Sequence, residues 1–329
     1  MAIPNDPENR WWIEVSGSNP ALVADLRPSV VAFVAFAPDR EPKLVGTGFL
    51  IAAMQDLAVA ITAKHVLYEG AFRTQKPMPR HAASSLFVRR SSITPSIEPK
   101  KLKMIWMGSE HAAAINAVYV GSNDTLDAAC VICIPQDVDV GQFRPAVLPL
   151  DTSTPSVGQT VYLISHDKLE TSNIFRSDDP NELREAFFVE KRISIRVGVV
   201  TRIYPHGLRH YRWPCFTTSI PAEPGMSGGL VSIPAPCGTI AACGLVCADN
   251  SSAEARADQL HCGESIISSV WPMLTLCIPE SIPPSAETKP EPLIQFMRSG
   301  RMPIAVGGID QIDFIDLGGG DYRIGIKAQ

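Results

Sequence analysis

Short apolar runs separated by glycine, proline and serine recur along most of this 329-residue chain, and they restrict the folds open to it. Runs of this length and spacing are typical of β-strands joined by tight turns, so the pattern favours an all-β barrel or sandwich. A polar stretch at residues 146–156 separates two groups of runs and marks the link between two halves. The runs are at residues 30–37, 43–52, 57–63, 85–90, 102–107, 113–120 and 128–134, and then at residues 161–165, 192–203, 211–220, 230–233 and 239–248.

A glycine-rich stretch at residues 221–231, PAEPGMSGGLV, places Ser227 among three glycines. Glycines cluster where the backbone must adopt conformations closed to other residues or approach a ligand closely. A nucleophilic serine needs such a turn, because its hydroxyl must project while nearby N–H groups receive a developing oxyanion. The N–H groups of Gly225 and Ser227 are the candidates for that oxyanion hole. A glycine-rich hairpin with an inert serine is the alternative.

Two residues upstream supply candidate partners for this serine. His65 follows an apolar run in ITAKHVL, and Asp127 precedes another in DAACVI. A serine hydroxyl is a weak nucleophile until a base takes its proton, so His65 is the candidate base. Asp127 would hold the imidazole in the required tautomer, and it is preferred to Asp124 because a strand that starts directly after it would fix the carboxylate. The other histidines are expected at the surface: His81, His111, His166, His206, His210 and His261.

These three motifs resemble those of the chymotrypsin-fold serine peptidases. TAKHVL is similar to the T-A-x-H segment of that family, DAACVI to its aspartate before a strand, and GMSGG to its G-x-S-G-G. The order His, Asp, Ser is also the order that this fold uses. The resemblance covers residues 30–276 and implies two six-stranded β-barrels packed side by side. The triad His65, Asp127 and Ser227 would lie in the cleft between them.

The resemblance also implies how the chain is divided. The family closes its second barrel with a C-terminal helix, and the candidate is residues 264–276, which place Ile266, Val270 and Leu274 on one helical face. The charged residues 166–191 are interpreted as a surface insertion with a short helix at residues 181–188. The predicted divisions are an N-terminal extension at 1–28, the first barrel at 29–150, the second barrel with its helix at 151–278, and a linker with a short β-rich tail of unassigned role at 279–329.

Met226 stands where the digestive and clotting branch of this family has an aspartate. That aspartate receives a new N-terminus made by zymogen cleavage, so no zymogen activation is expected here. The segment PGMSGG resembles the HtrA-type and bacterial trypsin-like branch. By the same resemblance, Pro221 would form the base of the primary specificity pocket and Val246, Ala248 and Asp249 one wall. A small or medium apolar substrate side chain fits best, whereas Asp249 or Glu223 would favour a basic one.

Composition limits the class of partner and compartment. The 45% hydrophobic and 19% charged fractions fit a globular protein, and the net charge of −5 gives no global positive field for nucleic acid. No apolar run approaches the roughly 18 residues that would span a bilayer, and the N-terminal sequence has charges where an export signal needs an apolar core. The eight cysteines lie mostly among apolar neighbours, which predicts reduced thiols and a cytoplasmic protein.

Together these features predict a serine endopeptidase that hydrolyses peptide bonds in a protein or peptide substrate through an acyl-enzyme. No metal, cofactor, nucleic-acid partner or membrane partner is expected. The alternative is a catalytically weak module of the same fold that serves as a binding or scaffold domain.

Overall fold

The computed structural model describes most of the chain in fourteen segments. These are residues 12–37, 40–54, 57–71, 86–88, 102–108, 112–122, 125–135, 143–175, 186–208, 211–234, 239–249, 263–280, 290–319 and 321–327. The first half has strands β1 (Ile13–Glu14), β2 (Val30–Ala37), β3 (Arg40–Met54), β4 (Leu57–Thr62), β5 (Leu86–Val88), β6 (Leu102–Met107), β7 (Ala112–Ser122) and β8 (Ala129–Ile134), and helices α1 (Pro20–Leu26) and α2 (Lys64–Ala71).

Six strands of the first half form a closed antiparallel barrel in the order β2-β3-β4-β8-β7-β6. The barrel closes where β6 pairs with β2, with Ala32 opposite Ile105. Every residue of β4 is buried, because one face fills the barrel and the other packs against the rest of the molecule. The largest side chains of this core include Phe33, Phe49 and Ile61, none of which is exposed.

The second half builds another closed barrel from strands of unequal length. The strands of this half, not all of which belong to the barrel, are β9 (Leu150–Asp151), β10 (Thr160–Phe175), β11 (Ala186–Tyr204), β12 (Cys215–Thr218), β13 (Leu230–Ser232), β14 (Ala242–Asp249), β15 (Ser265–Ser269) and β16 (Cys277–Pro279). The barrel order is β13-β10-β11-β12-β15-β14, and pairing of β13 with β14 closes it. The prediction of two six-stranded barrels is therefore confirmed.

Three short strands extend this second sheet beyond the barrel, and the third, β18 (Val306–Gly307), pairs with β9. Strand β1 pairs antiparallel with β11, and β9 pairs parallel with β14. The N-terminal extension is thus attached to the second barrel, although α1 follows it and leads directly into β2 of the first.

The segment at residues 264–276 differs from the sequence-based expectation. Instead of one helix it forms β15 and then a short 3₁₀ helix at Trp271–Thr275. Strand β15 is paired on both sides, with β12 and with β14, so its backbone hydrogen-bonding groups are used across the sheet rather than along a helix. Of the three apolar residues whose spacing suggested a helix, Ile266 lies in β15, Val270 directly precedes the 3₁₀ helix and Leu274 lies in it, and all three are buried. The C-terminal helix does occur, but it is α3 (Leu293–Arg298).

The charged interval at residues 166–191 also folds differently. Strands β10 and β11 continue far past the barrel as one antiparallel hairpin, with pairing from Thr160 opposite Val199 to Phe175 opposite Ala186. The helix predicted at residues 181–188 is contradicted at residues 186–188, which belong to β11. The rest of that predicted helix lies outside the described residues, as does most of the predicted linker at the start of the tail.

The β-rich tail is present and contacts both halves of the molecule. It comprises β17 (Pro290–Pro292), helix α3, β18 (Val306–Gly307), β19 (Ile312–Gly318) and β20 (Asp321–Ile326). Strand β18 adds to β9, while β20 pairs with β19 on one side and with β5 on the other. Among the described residues, no helix has the length and apolar character that crossing a membrane requires.

Candidate active site

His65 and Asp127 form a close pair at the open ends of two neighbouring strands. His65 is the second residue of α2, which follows β4, and Asp127 lies two residues before β8. Carboxylate oxygen Oδ2 of Asp127 lies 2.7 Å from His65 Nδ1, and Oδ1 accepts a hydrogen bond of 3.0 Å from the His65 backbone N–H. The Asp127 carbonyl also accepts a 3.2 Å bond from the Lys64 N–H. These bonds leave His65 Nε2 as the ring nitrogen that faces away from the carboxylate.

The two side chains are partly shielded from water, with His65 20% and Asp127 14% exposed. Partial burial strengthens the attraction between an imidazolium and a carboxylate while leaving the outer face of the ring open. This arrangement suits a base that must take a proton and hold it briefly. The rival residue, Asp124, lies outside the described residues.

Ser227 lies on a loop of two tight turns between β12 and β13, and we call residues 221–229 the serine loop. The Met226 N–H donates to Glu223 O at 3.0 Å, and the Gly229 N–H donates to Met226 O at 2.8 Å. Gly225 and Gly228 have φ of +94° and +85°, which disfavours any residue with a side chain. The sequence prediction of a turn that only glycines permit is met at both positions.

The serine loop contacts the first barrel directly. A Cβ atom on Gly228 would overlap the carbonyl of Thr47, in the middle of β3, and the hydroxyl of Thr62, the last residue of β4. A Cβ atom on Gly46 would lie 2.7 Å from the carbonyl oxygen of Ser227 and 2.5 Å from a methyl of Val66. Because Val66 follows His65 in α2, these contacts bring the backbone of Ser227 to the helix that carries the histidine.

Thr47 makes four hydrogen bonds, three of which connect the two barrels. Its N–H donates to Ser227 O at 2.8 Å, and its hydroxyl donates to Gly225 O at 2.8 Å. The same hydroxyl accepts a 2.9 Å bond from the His166 N–H, and the Thr47 carbonyl accepts a 2.6 Å bond from the Thr62 hydroxyl. Thr47 is fully buried, so these bonds form away from competing water. Sequence reasoning missed this residue, which carries only the signal of lying between Gly46 and Gly48.

His166 is a correction to the expectation that it lies at the surface. It is fully buried, and its Nδ1 lies 3.3 Å from the carbonyl oxygen of Arg192. The charged sequence after it suggested exposure, but β10 passes through the contact between the barrels at this point. His206 is exposed as expected, and the four remaining histidines lie outside the described residues.

The N–H groups proposed for the oxyanion hole have no other use in the described part of the chain. Within it, neither the Gly225 N–H nor the Ser227 N–H donates a hydrogen bond, while both carbonyls are bound by Thr47. Free N–H groups on a fixed turn are what a developing oxyanion requires. The Ser227 hydroxyl also makes no hydrogen bond to a described residue. The predicted hydrogen bond between this hydroxyl and His65 therefore stays a prediction.

The residues predicted for the specificity pocket lie around the serine loop. Val246 in β14 is buried, and its backbone exchanges 2.8 Å bonds with Gly228 and Gly229. Pro221 is half-buried, and its carbonyl accepts a 3.2 Å bond from Arg196. The backbones of Ala248 and Asp249 continue β14, but their side chains lie outside the described residues.

Two acidic side chains lie near this region. The carboxylate of Glu223 forms a 2.9 Å ion pair with Arg196, so it already has a charged partner within the protein. Glu264, at the start of β15, is 4% exposed, and its Oε2 is buried without a hydrogen-bond partner among the described residues. Its neighbour Ser265 bonds Thr218 at 2.7 Å, in the strand that leads to the serine loop. Nothing in the local sequence of Glu264 signals this burial.

Cys247, in β14 of the second barrel, lies next to the backbone of Asp127. The Cys247 sulfur is 3.9 Å from the carbonyl oxygen of Asp127. Burial raises the pKa of the Cys247 thiol well above its usual range, and the nearby Asp127 charge adds to the effect. The thiol is therefore neutral at physiological pH. Within the described residues, no group of three or more His, Cys, Asp or Glu side chains is placed to hold a metal ion.

The family model of the trypsin-like peptidase domain matches residues 46–232, more than half of the chain. The chain belongs to the trypsin-like peptidase family. The matched residues contain all three motifs, from Gly46 ahead of His65 to the end of β13 after Ser227. No curated protein matches the sequence.

Two solved structures are similar to this trypsin-like peptidase over about three quarters of its length. One is described as the structure of GrC, with 12% identity and a TM-score of 0.42, covering 75% of this chain and 91% of that one. The other is the protease Anisep from Arthrobacter nicotinovorans, with 11% identity and a TM-score of 0.39, covering 74% of this chain and 90% of that one.

Proposed function

We propose that this peptidase is a serine endopeptidase with Ser227 as nucleophile, His65 as base and Asp127 as the residue that orients the imidazole. The observation that carries the proposal is the double hydrogen bond of the Asp127 carboxylate with His65, on its backbone N–H and on Nδ1. That arrangement fixes both the position and the tautomer of the ring, and it leaves Nε2 to accept a proton.

In the proposed reaction, the Ser227 oxygen attacks the scissile carbonyl carbon while its proton passes to His65 Nε2. The carbonyl oxygen becomes an oxyanion that the N–H groups of Gly225 and Ser227 stabilise. His65 then gives the proton to the leaving amine as the C–N bond breaks, which leaves an acyl-enzyme. Water attacks the ester, its proton passes through His65 back to the Ser227 oxygen, and the acid product leaves.

We further propose that activity requires no zymogen cleavage. Met226 supports this, since its side chain is fully buried in the core of the second barrel with Phe216 and Val246. An apolar side chain there needs no ion pair with a newly made N-terminus. An HtrA-type branch and a small or medium apolar residue at the cleaved bond stay part of the proposal.

A cytoplasmic location is likewise proposed. The six cysteines within the described residues are buried free thiols, which is compatible with a reducing compartment. Titration of the denatured protein without reductant should find close to eight thiols, since the sequence has eight cysteines. Three or four disulfides would refute the assignment.

A fluorophosphonate probe tests the proposed function at its nucleophile. The parent protein should be labelled at Ser227 and should cleave members of a peptide library, whereas Ser227→Ala should do neither. A folded parent that neither reacts nor cleaves would instead support the alternative of a binding or scaffold module with this fold.

A further inference from the structure

Strand β1 brings a carboxylate from the N-terminal extension onto the second barrel. Its pairing with β11 places Glu14 opposite Arg196. The Glu14 carboxylate accepts hydrogen bonds from the Ser194 hydroxyl at 2.6 Å and from the Ile195 N–H at 3.0 Å, and from the hydroxyl of Ser16. Burial acts to raise the pKa of Glu14, but the hydrogen bonds from Ser16, Ser194 and Ile195 outweigh it and lower that pKa. Glu14 is therefore held as a carboxylate.

The guanidinium of Arg196 joins this carboxylate to the serine loop. Arg196 is only 4% exposed. Its Nε lies 3.2 Å from Glu14, its Nη1 donates to Pro221 O at 3.2 Å, and its Nη2 donates to Glu223 at 2.9 Å. The ring of Trp12 lies 4.8 Å from the guanidinium carbon. A buried arginine is tolerated only when its charge and donors are paired, and here one carboxylate comes from β1 and the other from the serine loop.

The serine-loop partners of Arg196 stand directly before the proposed oxyanion hole. Glu223 supplies the carbonyl that receives the Met226 N–H, and the Glu223 N–H lies 3.3 Å from the Met226 sulfur. These bonds define the turn in which Gly225 adopts its positive φ. Arg196 thus holds the start of that turn at two points, the backbone of Pro221 and the side chain of Glu223.

We propose that Arg196, oriented by Glu14, is a positioning residue that keeps the N–H groups of Gly225 and Ser227 aimed at the oxyanion. The inference rests on the function proposed above, and it makes docking of β1 a condition for full activity. An interaction made only with the oxyanion lowers the barrier to turnover without strengthening substrate binding. Loss of this positioning therefore lowers kcat and leaves KM nearly unchanged.

The test compares full-length variants on one peptide substrate. Glu14→Gln keeps the shape of the side chain but removes its charge, and Arg196→Gln removes the guanidinium. Both should lower kcat about tenfold to a hundredfold, with KM changed by no more than about twofold. A peptidyl boronate, which forms a tetrahedral anion on the serine, should lose affinity by a similar factor. Arg196→Lys keeps the charge but not the planar fork, so it should restore only part of the activity.

Arg301→Gln is the matched control. Arg301 also binds two carboxylates, those of Glu280 and Glu291, but it lies in the C-terminal tail. Its replacement should leave kcat, KM and boronate affinity unchanged. If Arg196→Gln fails to fold, the milder Glu14→Gln variant decides the question.

Two results would overturn the positioning role alone. One is a kcat within twofold of the parent in both Glu14→Gln and Arg196→Lys, while Ser227→Ala is inactive. The other is a loss of activity that follows the unfolded fraction, with normal boronate affinity in the folded fraction. A folded parent that neither cleaves nor reacts with fluorophosphonate would remove the proposed function itself, and this inference with it.

Discussion

The two barrels contribute to the site in different ways. The first barrel presents His65 and Asp127 at the ends of strands, where the hydrogen bonds that hold them come from adjacent backbone and from each other. The second presents Ser227 on a loop of turns that is held by residues from elsewhere. Thr47 of the first barrel binds this loop on either side of Met226, and Arg196 binds the part before Gly225.

This difference shows which half of the site is fixed and which half can be adjusted. The pairing of His65 with Asp127 depends on the neighbouring ends of two paired strands of one barrel, β4 and β8, so few changes outside that barrel should reach it. The serine loop depends on a neutral, fully buried contact at Thr47 and on a charged one at Arg196. Changes far from Ser227 in sequence should therefore alter how the proposed nucleophile and the proposed oxyanion hole are positioned.

The largest expected effect comes from removing either the proposed nucleophile of the second barrel or the proposed base of the first. Ser227→Ala or His65→Ala should each lower kcat on the order of a millionfold, by comparison with other serine peptidases. The double variant should cost little more, because each single change already abolishes the proton transfer. Single-turnover and steady-state assays of the three variants check this, and effects that multiply would show that the barrels act independently.

Exchanging the aspartate carboxylate tests the fixed half alone. Asp127→Asn should lower kcat about ten-thousandfold, because an amide on Nδ1 favours the wrong imidazole tautomer. Asp124→Asn should leave activity unchanged. The opposite result for these two variants on one substrate would transfer the orienting role to Asp124.

Thr47→Val tests the neutral contact of the adjustable half. The change keeps the side-chain shape but removes the hydroxyl that donates to Gly225 and accepts from His166. We expect kcat to fall about tenfold to a hundredfold and the free energy of unfolding to fall by about 1–3 kcal/mol.

Thr275→Val is the control for that experiment. Thr275 is equally buried, and its hydroxyl donates a 2.7 Å bond to Pro272, away from the serine loop. It should lose comparable stability in urea unfolding and retain full kcat. Equal loss of kcat in both variants would reduce Thr47 to a purely structural residue.

The smallest expected effect is the acid sensitivity of the charged contact. The folded-state pKa of Glu14 lies below its ordinary value of 4.5, so its contribution to stability is complete above that value and is lost as pH falls through the lower one. Arg196 faces Glu14 directly, and Glu223 faces it across the guanidinium. The stability difference between the parent and Glu14→Gln should thus shrink as the pH falls below 4.5. A difference that stays constant over that range would exclude this linkage.

Much of the fold was predictable because its signals are local. Strands β2 and β6 have the bounds predicted at residues 30–37 and 102–107, since β2 is an unbroken apolar run and β6 is apolar except for Lys103. The helix predicted at residues 264–276 was wrong because the structure there depends on contacts that are not local. An apolar spacing compatible with a helix face was present, but pairing of β15 with two neighbouring strands decided the structure, and no local pattern reports such pairing.

The residues of the site likewise fall into some that local sequence motifs predict and some that they do not. The motifs around His65, Asp127 and Ser227 are short and could be read directly, and the positive φ of Gly225 and Gly228 follows from the residue type. The residues that hold the loop could not be read, because Thr47 is 178 positions from Gly225 and Glu14 is 182 from Arg196. A threonine between glycines and an arginine in a strand have many ordinary explanations until the partners are known.

These long separations have a consequence for the synthesis of the protein. A chain growing from its amino terminus makes Glu14 and Thr47 early, and both must wait until the second barrel emerges before they meet their partners. Contacts between residues so distant in sequence form late, since the intervening chain must first be ordered. The loop that carries Ser227, the proposed nucleophile, can therefore take its final position only after the second barrel has been made, and we expect a chain interrupted before that point to lack the proposed activity.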